Sequence, residues 1–255
     1  MGFDGNEIEG DAWKEELKIK SYEVDLRGRV FAPVLLNFMQ EAASNHADAL
    51  HVGSAHLQEL GRFWVLSRIG IRINTLPRWG DTLTLYTWPA GTDKLFALRE
   101  FRIIDEHGDV IVSASSAWLV LDEQKRRPVR IDRLFTERGI PLERDPRGER
   151  LQKLPPLGRV DRESGITVQL SDLDVNDHAN NAKYVEWVLN SYPKQFVYDN
   201  EVYGCSINFL SECGYGDELL IRTVKENDHS FLHSVVRSEH QTESCRIRMR
   251  WGIHR

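Results

Sequence analysis

Two segments of the chain carry the apolar spacing of an amphipathic helix. Residues 32–50 repeat apolar side chains at three- and four-residue intervals, and Pro33 suits the first turn of a helix. Residues 181–192 show the same spacing, with Asn180 or Asn181 as a natural N-cap and Pro193 as a natural stop. Both segments are therefore predicted to be helices with one buried face.

Alternation of apolar and polar residues, which is typical of strands, occupies most of the remaining sequence. The predicted strands are 17–24, 63–74, 82–89, 95–105 and 110–121, and then 166–173, 203–212, 217–226, 231–238 and 244–252. A strand, a long helix and about four strands thus occur twice. This internal duplication predicts two similar α+β domains packed as a pseudo-dimer.

A long connection without clear period separates the two copies. Residues 123–163 contain five of the nine prolines, and residues 124–162 carry 12 Lys and Arg against 6 Asp and Glu in a chain of net charge −6. We therefore expect a domain at 1–122, a basic linker at 123–163 and a second domain at 164–255. The basic stretch suits either an acidic partner or a solvated connection.

Composition excludes several classes of protein. A chain of 255 residues that is 41% hydrophobic has ample material for a core. No apolar run approaches the ~20 residues that cross a bilayer, and the N-terminal sequence MGFDGNEIEGDAWKEE lacks the features of a signal peptide. Three cysteines without metal spacing suit a reducing compartment, so we expect a cytoplasmic protein. The acidic balance argues against nucleic-acid binding.

The most concentrated polar chemistry lies in segment 171–193, SDLDVNDHANNAKYVEWVLNSYP. Asp174, Asn176 and His178 occupy alternate positions, so on an extended segment they would point the same way. Histidine exchanges protons near neutral pH, and the amide of Asn176 can polarise a carbonyl. The N–H groups at the start of the following helix would favour a developing oxyanion. Asn and Asp are equally common in turns and caps, so a purely structural role is the alternative.

Five segments together resemble one known family. They are LLNFMQEAASNHA (35–47), WVLSRIGIRINTLPRWGDTLTLYTW (64–88), SSAWLVLDEQKRRP (115–128), DLDVNDHANNAKYVEWVLNSYP (172–193) and INFLSECGYGDEL (207–219). The sequence resembles the acyl-ACP (acyl-carrier-protein) thioesterases of the plant plastid type and their bacterial relatives. The resemblance implies a tandem double hotdog, an α+β fold in which each half wraps an antiparallel sheet around a long helix. It also implies hydrolysis of the thioester between a fatty acyl chain and the carrier's phosphopantetheine arm, without metal or cofactor.

The resemblance also implies a set of site residues. The family's Asp-x-Asn-x-His motif matches Asp174, Asn176 and His178, and its Glu-Cys pair matches Glu212 and Cys213. Two mechanisms stay open. In the first, Glu212 and His178 activate a water, or Glu212 attacks the carbonyl directly, while Asn176 holds the oxyanion and Asp174 orients His178 or a backbone loop. In the second, Cys213 is the nucleophile.

The duplication indicates which half carries this chemistry. The first-half residues that align with Asn176, His178 and Glu212 are Arg27, Arg29 and Leu76. We therefore expect catalysis in the second half and the acyl-chain pocket in the first. In the first half, His46 is expected to pack at the core, and Arg99 to be a structural or surface charge.

Two alternative functions and one protein partner are also expected. The alternatives are an acyl-CoA thioesterase of the same fold and a non-catalytic acyl-carrier or lipid-binding protein. The expected partner is acyl carrier protein bearing a phosphopantetheine-linked fatty acyl chain, with the basic stretch 124–162 as a candidate contact. A homodimer is a further expectation.

Overall fold

The computed structural model describes residues 12–145, 148 and 150–253. The chain forms two compact units, which comprise residues 12–31 with 37–151, and residues 32–36 with 152–253. The helices are α1 (Ala32–Ala49), α2 (Ser54–Glu59), α3 (Asp132–Glu137), α4 (Asn181–Asn190) and α5 (Lys194–Asp199). Among the described residues no helix is long and apolar enough to cross a membrane.

The first unit is built on a five-stranded antiparallel sheet. Its strands are β1 (Trp13–Lys18), β2 (Arg62–Ile73), β3 (Thr82–Asp93), β4 (Phe96–Ile104) and β5 (Val110–Asp122). They lie in the order β1-β3-β4-β5-β2, and a short strand β6 (Pro128–Val129) pairs with β5. The helix α1 begins with Pro33 in its first turn, as predicted, and buries Met39 and Ala42 completely.

The second unit repeats this plan. Its strands are β7 (Arg162–Thr167), β8 (Asn200–Phe209), β9 (Glu218–Asn227), β10 (Ser230–Arg237) and β11 (Thr242–Ile253). They lie in the order β8-β11-β10-β9-β7, and all their pairings are antiparallel. The Asn180 side chain caps α4 by accepting the N–H of Ala182 at 2.8 Å. The predicted α+β duplication is therefore confirmed.

The first strand of each unit lies closer to the N-terminus than predicted. The predicted strands 17–24 and 166–173 are replaced by β1 and β7, each of which is followed by a single turn of 3₁₀ helix, Ser21–Glu23 and Leu170–Asp172. In each turn a carboxylate accepts a backbone N–H three residues earlier, at 2.8 Å for Glu23 and 2.9 Å for Asp172. This local bond competes with strand pairing and ends the strand.

The predicted linker 123–163 is structured in its first part, and the boundary between the units falls inside it, at residues 151 and 152. Its α3 adds apolar side chains to a buried cluster of the first unit. The members of this cluster are Val52, Leu57, Ala97, Val120, Ile131, Phe135 and Ile140. The chain then runs along β3, where Thr92 N–H donates to Leu142 O at 3.0 Å and Asp145 N–H donates to Ala90 O at 3.1 Å. Tertiary contacts thus order a segment that has no periodic pattern.

A buried chain of polar groups crosses the second unit. The Trp251 indole N–H donates to the Tyr192 hydroxyl oxygen at 3.2 Å, and that hydroxyl lies 2.7 Å from His233 Nε2. His233 Nδ1 lies 3.0 Å from the Thr223 hydroxyl oxygen. Both ring nitrogens of His233 are therefore held by hydroxyl groups, Nε2 by Tyr192 and Nδ1 by Thr223. Burial lowers the pKa of His233 to about 3.

This histidine is expected to make folding sensitive to acid. The unfolded chain takes up a proton on His233 below about pH 6.5, whereas the folded chain does so only near pH 3. The unfolded state thus binds more protons in this window. The free energy of unfolding should fall as the pH is lowered through the window, by up to about 1.4 kcal/mol per pH unit from this group.

Denaturant unfolding at pH 7 and pH 5 measures this contribution. The difference between the two pH values should be smaller in His233→Gln than in the wild type. His107→Gln, at a histidine whose side chain is 75% exposed, serves as the matched control and should behave as the wild type. Equal pH dependence in His233→Gln and the wild type would contradict the assignment.

Candidate active site

The segment from Asp174 to His178 forms a tight turn and not an extended segment. The Asp174 N–H donates to the His178 carbonyl at 2.8 Å, and the Asp177 N–H donates to the Asp174 carbonyl at 3.1 Å. Asp174 Oδ1 accepts the N–H of Asn176 at 2.8 Å. Asp177 lies in the left-handed region, with φ 61°, which Asp tolerates better than most residues. The prediction that three side chains alternate along an extended segment is therefore wrong.

The first unit contains the same turn with different side chains. The Asp25 N–H donates to the Arg29 carbonyl at 2.7 Å, and Asp25 Oδ1 accepts the N–H of Arg27 at 2.8 Å. The left-handed position is Gly28, with φ 72°. The hydrogen bonds thus support the alignment of Asp25 with Asp174 that the sequence indicated. They also explain why the second turn has its shape, since a side-chain carboxylate closes it locally.

A second loop, between β8 and β9, brings Glu212 to this turn. The N–H of Ala179 donates to the Cys213 carbonyl at 2.8 Å, which ties the two loops together. Glu212 Oε2 then lies 3.4 Å from His178 Nε2, and the two side chains are 45% and 37% exposed. In the first unit the corresponding bond runs from Val30 N–H to the Pro77 carbonyl, also at 2.8 Å. The backbone frame is duplicated, but the acid and the imidazole occur only in the second copy.

The structure brings together the side chains of two of the four predicted catalytic residues and places the other two elsewhere on the turn. His178 and Glu212 are the pair whose side chains meet. The Asp174 carboxylate accepts the Asn176 N–H and so orients the backbone of the turn. Of its two predicted roles, to orient His178 or to orient a backbone loop, this is the second. Asn176 is exposed at the tip of the turn and donates its backbone N–H to Asp174.

The start of α4 offers fewer oxyanion donors than predicted. The Ala182 N–H donates to Asn180 Oδ1 at 2.8 Å, and the Lys183 N–H donates to the Asn180 carbonyl at 2.9 Å. Both N–H groups are therefore already paired within the cap. The side-chain amide of Asn176 is left as the predicted donor to a developing oxyanion.

Cys213 lies on the opposite side of its loop from Glu212. The residue is 1% exposed. Burial and the Cys213 thiol raise the pKa of the Tyr184 hydroxyl, and the same thiol, against the effect of burial, raises the pKa of the Arg237 guanidinium. Arg237 in turn lies 3.1 Å from Asp217 Oδ2. The thiol is thus buried, whereas Glu212 faces His178. Within the described residues, no group of three or more His, Cys, Asp or Glu side chains could hold a metal ion.

Comparison with protein families accounts for this arrangement. The profile of the acyl-ACP thioesterase N-terminal domain matches residues 10–138, and that of the acyl-ACP thioesterase C-terminal domain matches residues 158–252. The chain belongs to the acyl-ACP thioesterase family. The two matched domains correspond to the two units of the structure, and the His178–Glu212 pair lies in the C-terminal one.

Individual members of the acyl-ACP thioesterase family resemble the chain over most of its length. The chloroplastic acyl-carrier-protein hydrolase FATB3 of Cuphea viscosissima is 28% identical over 262 residues, which cover 95% of this chain and 63% of FATB3. The chain thus spans less than two thirds of that curated relative. The 12:0-ACP thioesterase of Umbellularia californica is 26% identical, with a TM-score of 0.82 over 96% of this chain and 98% of its own.

A bacterial structure confirms the fold. The acyl-ACP thioesterase from Bacteroides thetaiotaomicron has a TM-score of 0.84 at 24% identity and covers 96% of this chain and 99% of its own. The tandem double hotdog, predicted from the resemblance to the acyl-ACP thioesterases, is therefore the fold of this chain.

The position of Cys213 leads to a direct prediction. Cys213→Ala should keep thioester turnover within about threefold of the wild type, because a buried cysteine commonly serves as a small apolar residue. Cys245→Ala, at a second fully buried cysteine, controls for packing losses. Release of free thiol from acyl-ACP measures both. Loss of turnover in Cys213→Ala, with Glu212→Gln still active, would assign the nucleophile to the cysteine.

Sequence reasoning missed the influence of Cys213 on two polar groups, the Tyr184 hydroxyl and the Arg237 guanidinium. Tyr184 lies on the predicted apolar face of its helix, where its ring is typical core material. Arg237 is the next-to-last residue of the predicted strand 231–238, and no motif marks it. A signal for the turn itself was present, however, since Gly28 aligns with Asp177 and glycine commonly marks a left-handed position.

Proposed function

We propose that this protein hydrolyses the thioester of fatty acyl-ACP and releases a free fatty acid and holo-ACP. The observation that carries the proposal is the contact between His178 and Glu212, 3.4 Å apart, on the two loops that bear the family's motifs. A carboxylate beside an imidazole at a partly exposed position is a suitable base for activating water. The names of the relatives support the same reaction and the acyl-ACP substrate.

In the proposed first step, Glu212 acts as the general base. His178 holds a water beside the carboxylate, and Glu212 takes its proton while the water oxygen bonds to the thioester carbonyl carbon. Both side chains are more than a third exposed, so water reaches them. The Asn176 amide donates to the carbonyl oxygen as it becomes an oxyanion.

In the second step the C–S bond breaks. The tetrahedral intermediate collapses to the fatty acid, and the proton held by Glu212 passes to the departing thiolate of the phosphopantetheine arm. One water is consumed, and one carboxylic acid and one thiol are formed. Asp174 contributes indirectly, because its carboxylate fixes the turn that places His178.

The experiment that tests the proposal is a thiol-release assay on acyl-ACPs of several chain lengths, beside the matching acyl-CoAs. Hydrolysis that peaks at one chain length and favours the carrier-bound substrate is the expected result. Preference for the CoA esters would favour an acyl-CoA thioesterase of the same fold. Tight acyl binding without any hydrolysis by folded protein would favour an acyl-carrier protein.

The proposed contact with the carrier protein is a basic turn of the first unit. Lys125, Arg126 and Arg127 are all exposed, next to the end of β5. The Arg126 guanidinium lies over the Phe63 ring, 5.2 Å from its centre, which holds one of the three charges in place. Such a cluster suits an acidic partner.

Reversing two of these charges is expected to weaken use of the carrier substrate. In Arg126→Glu/Arg127→Glu the Michaelis constant for acyl-ACP should rise by about tenfold at low salt, and less at high salt, because rim charges mainly steer association. The constant for a short acyl-CoA should rise less. The control is Lys194→Glu, an exposed lysine on α5. Equal rises for both substrates would exclude this turn as the contact.

The proposal also covers the cellular location of the protein, the metabolic process that it serves and its oligomeric state. Cys205, Cys213 and Cys245 are buried free thiols, which suits the predicted cytoplasmic setting. Fatty acid biosynthesis is the process that supplies acyl-ACP. The predicted division of labour, with the acyl-chain pocket in the first unit and the chemistry in the second, belongs to the same proposal. A homodimer remains a prediction.

A further inference from the structure

Three large apolar side chains protrude from two joined loops of the first unit. Tyr22 is 76% exposed, Leu26 is 77% exposed and Trp79 is 66% exposed. The loops are held together by the backbone, since the Trp79 N–H donates to the Gly28 carbonyl at 3.0 Å. We call these two loops, residues 18–31 and 77–81, the first-unit tip. A group of exposed apolar side chains marks an interaction surface more often than residues scattered singly do.

Cations accompany the apolar side chains of the first-unit tip. Lys20 Nζ lies over the Tyr22 ring, 5.7 Å from its centre. Arg78 is exposed, and Arg29 pairs with it in an antiparallel backbone bridge. The pKa of Arg29 is lowered by burial and then by the nearby charges of Arg78 and Arg27. Like charges are thus held close together, and an anionic partner would offset their repulsion.

The second unit shows that the fold does not require these cations. The first-unit tip carries five Lys and Arg against three Asp and Glu, whereas the aligned residues 167–180 and 213–217 carry no Lys or Arg against four Asp. The five cations are Lys18, Lys20, Arg27, Arg29 and Arg78, and their counterparts are Thr167, Gln169, Asn176, His178 and Gly214. The second copy forms the equivalent turn without a permanent positive charge.

The carboxylates that the two copies share have a structural role. In the first unit each of them accepts a backbone N–H of its own turn, at 2.7–2.8 Å; these residues are Glu23, Asp25 and Asp81. The aligned carboxylates of the second unit accept the equivalent N–H groups, at 2.8–3.0 Å; these residues are Asp172, Asp174 and Asp217. The turns therefore account for the shared anions but not for the cations that only the first unit has.

We propose that the first-unit tip binds the surface of an anionic phospholipid bilayer, with Leu26 and Trp79 in the interface and Lys20, Arg29 and Arg78 against the lipid phosphates. Tryptophan favours the boundary between membrane and water, and each Lys or Arg near an anionic leaflet strengthens binding. A protein partner would require about 800 Å² of closely packed surface, whereas apolar side chains that protrude between cations suit a lipid surface. The inference goes beyond the proposed hydrolysis and does not depend on it.

Co-sedimentation of the full-length protein with lipid vesicles tests the inference. Binding to vesicles of equal parts phosphatidylglycerol and phosphatidylcholine should be about tenfold tighter than to phosphatidylcholine alone, and the difference should shrink at high salt. Trp79→Ala should weaken binding to the mixed vesicles by about tenfold. The matched control is Tyr215→Ala, at the aligned aromatic residue of the second unit, which is 70% exposed and should leave binding unchanged.

The cations are tested by a matched pair of double variants. Lys20→Gln/Arg78→Gln should reduce the preference for the anionic vesicles by about tenfold. Arg130→Gln/Arg133→Gln removes the same charge at arginines whose side chains are 76% and 92% exposed, outside the first-unit tip, and should keep the preference. Equal losses in the two double variants would show attraction by net charge alone and would overturn the inference.

Other results would assign the first-unit tip to another partner. No vesicle binding by the wild type, or equal binding to both kinds of vesicle, would overturn the inference without any variant. A dimer that dissociates in Trp79→Ala would assign the tip to a second copy of the chain. A higher Michaelis constant for acyl-ACP in Lys20→Gln/Arg78→Gln, with vesicle binding unchanged, would assign it to the acidic carrier. Thiol release by a protein that binds no vesicles would leave the proposed function standing.

Discussion

Replacing Glu212 with glutamine is expected to lower the turnover number for acyl-ACP hydrolysis by about 100- to 10,000-fold, the range typical of a lost general base. The amide keeps the size of the carboxylate but cannot take a proton from water. The free energy of unfolding should hardly change, because the side chain is 45% exposed. Thiol release under saturating substrate measures the turnover number.

His178→Ala should cause a loss of similar size, and the double variant should lose little more than either single one, because the two residues act as one unit. Glu218→Gln, at an exposed carboxylate at the start of β9, is the matched control and should retain full turnover. A Glu212→Gln protein with near-normal turnover would exclude the water mechanism. Additive losses in the double variant would show that the two side chains act independently.

Trp251→Ala is expected to cause the largest loss of stability of any substitution considered in the second unit. The indole is 1% exposed and lies 4.9 Å from the Tyr192 ring and 5.1 Å from the Phe196 ring, measured between ring centres. Its removal leaves a large cavity and takes away the donor to the Tyr192 hydroxyl. The cost should be about 3–5 kcal/mol in the free energy of unfolding, a large share of the total stability of a typical domain.

Equilibrium unfolding in denaturant, followed by circular dichroism, gives this difference from the midpoint and slope. Trp79→Ala, at a tryptophan that is 66% exposed, should change the free energy of unfolding by only about 0.5 kcal/mol. Trp251→Phe should lie between the two, because it restores part of the volume but not the N–H donor. A midpoint for Trp251→Ala that equals the wild-type midpoint would contradict the packing described for this cluster.

The elements with strong periodicity were predicted well from sequence alone. The helix α1 was expected at 32–50 and spans Ala32–Ala49, and β5 was expected at 110–121 and spans Val110–Asp122. Burial of one face imposes these patterns directly on the sequence. The ends of β1 and β7 were predicted wrongly because a local turn follows each strand. In each turn the carboxylate of Glu23 or Asp172 accepts a backbone N–H from three residues earlier. Such a bond leaves no periodic pattern in the sequence.

The candidate site shows where pattern reasoning fails. Alternate polar residues at 174, 176 and 178 imitate a strand, yet the Asp174 carboxylate binds the backbone N–H two residues later and folds the segment into a turn. The neighbourhood of His178 and Glu212 depends on a backbone bond between distant loops, from Ala179 to Cys213. Only the resemblance to the acyl-ACP thioesterases brought these two residues together before the structure did.

Arg99 was predicted to be a structural or a surface charge, and the structure places it in the core, 9% exposed. A charged residue within a strand is usually exposed, because burying an unpaired charge is costly. The alternation of β4 places it on the same face as Phe101 and Ile103. The structure shows that the alternation was the better guide here.

The turn that occurs in both units has a consequence for how new chemistry arises in this fold. The copy at Asp25–Arg29 keeps the hydrogen bonds of the copy at Asp174–His178 without the imidazole or the nearby acid. The backbone turn therefore forms without the imidazole and the acid, which add side chains to it but do not hold it together. Duplication therefore supplies a second frame, in which the side chains at positions 27, 29 and 76 differ from their counterparts at 176, 178 and 212 without loss of the turn.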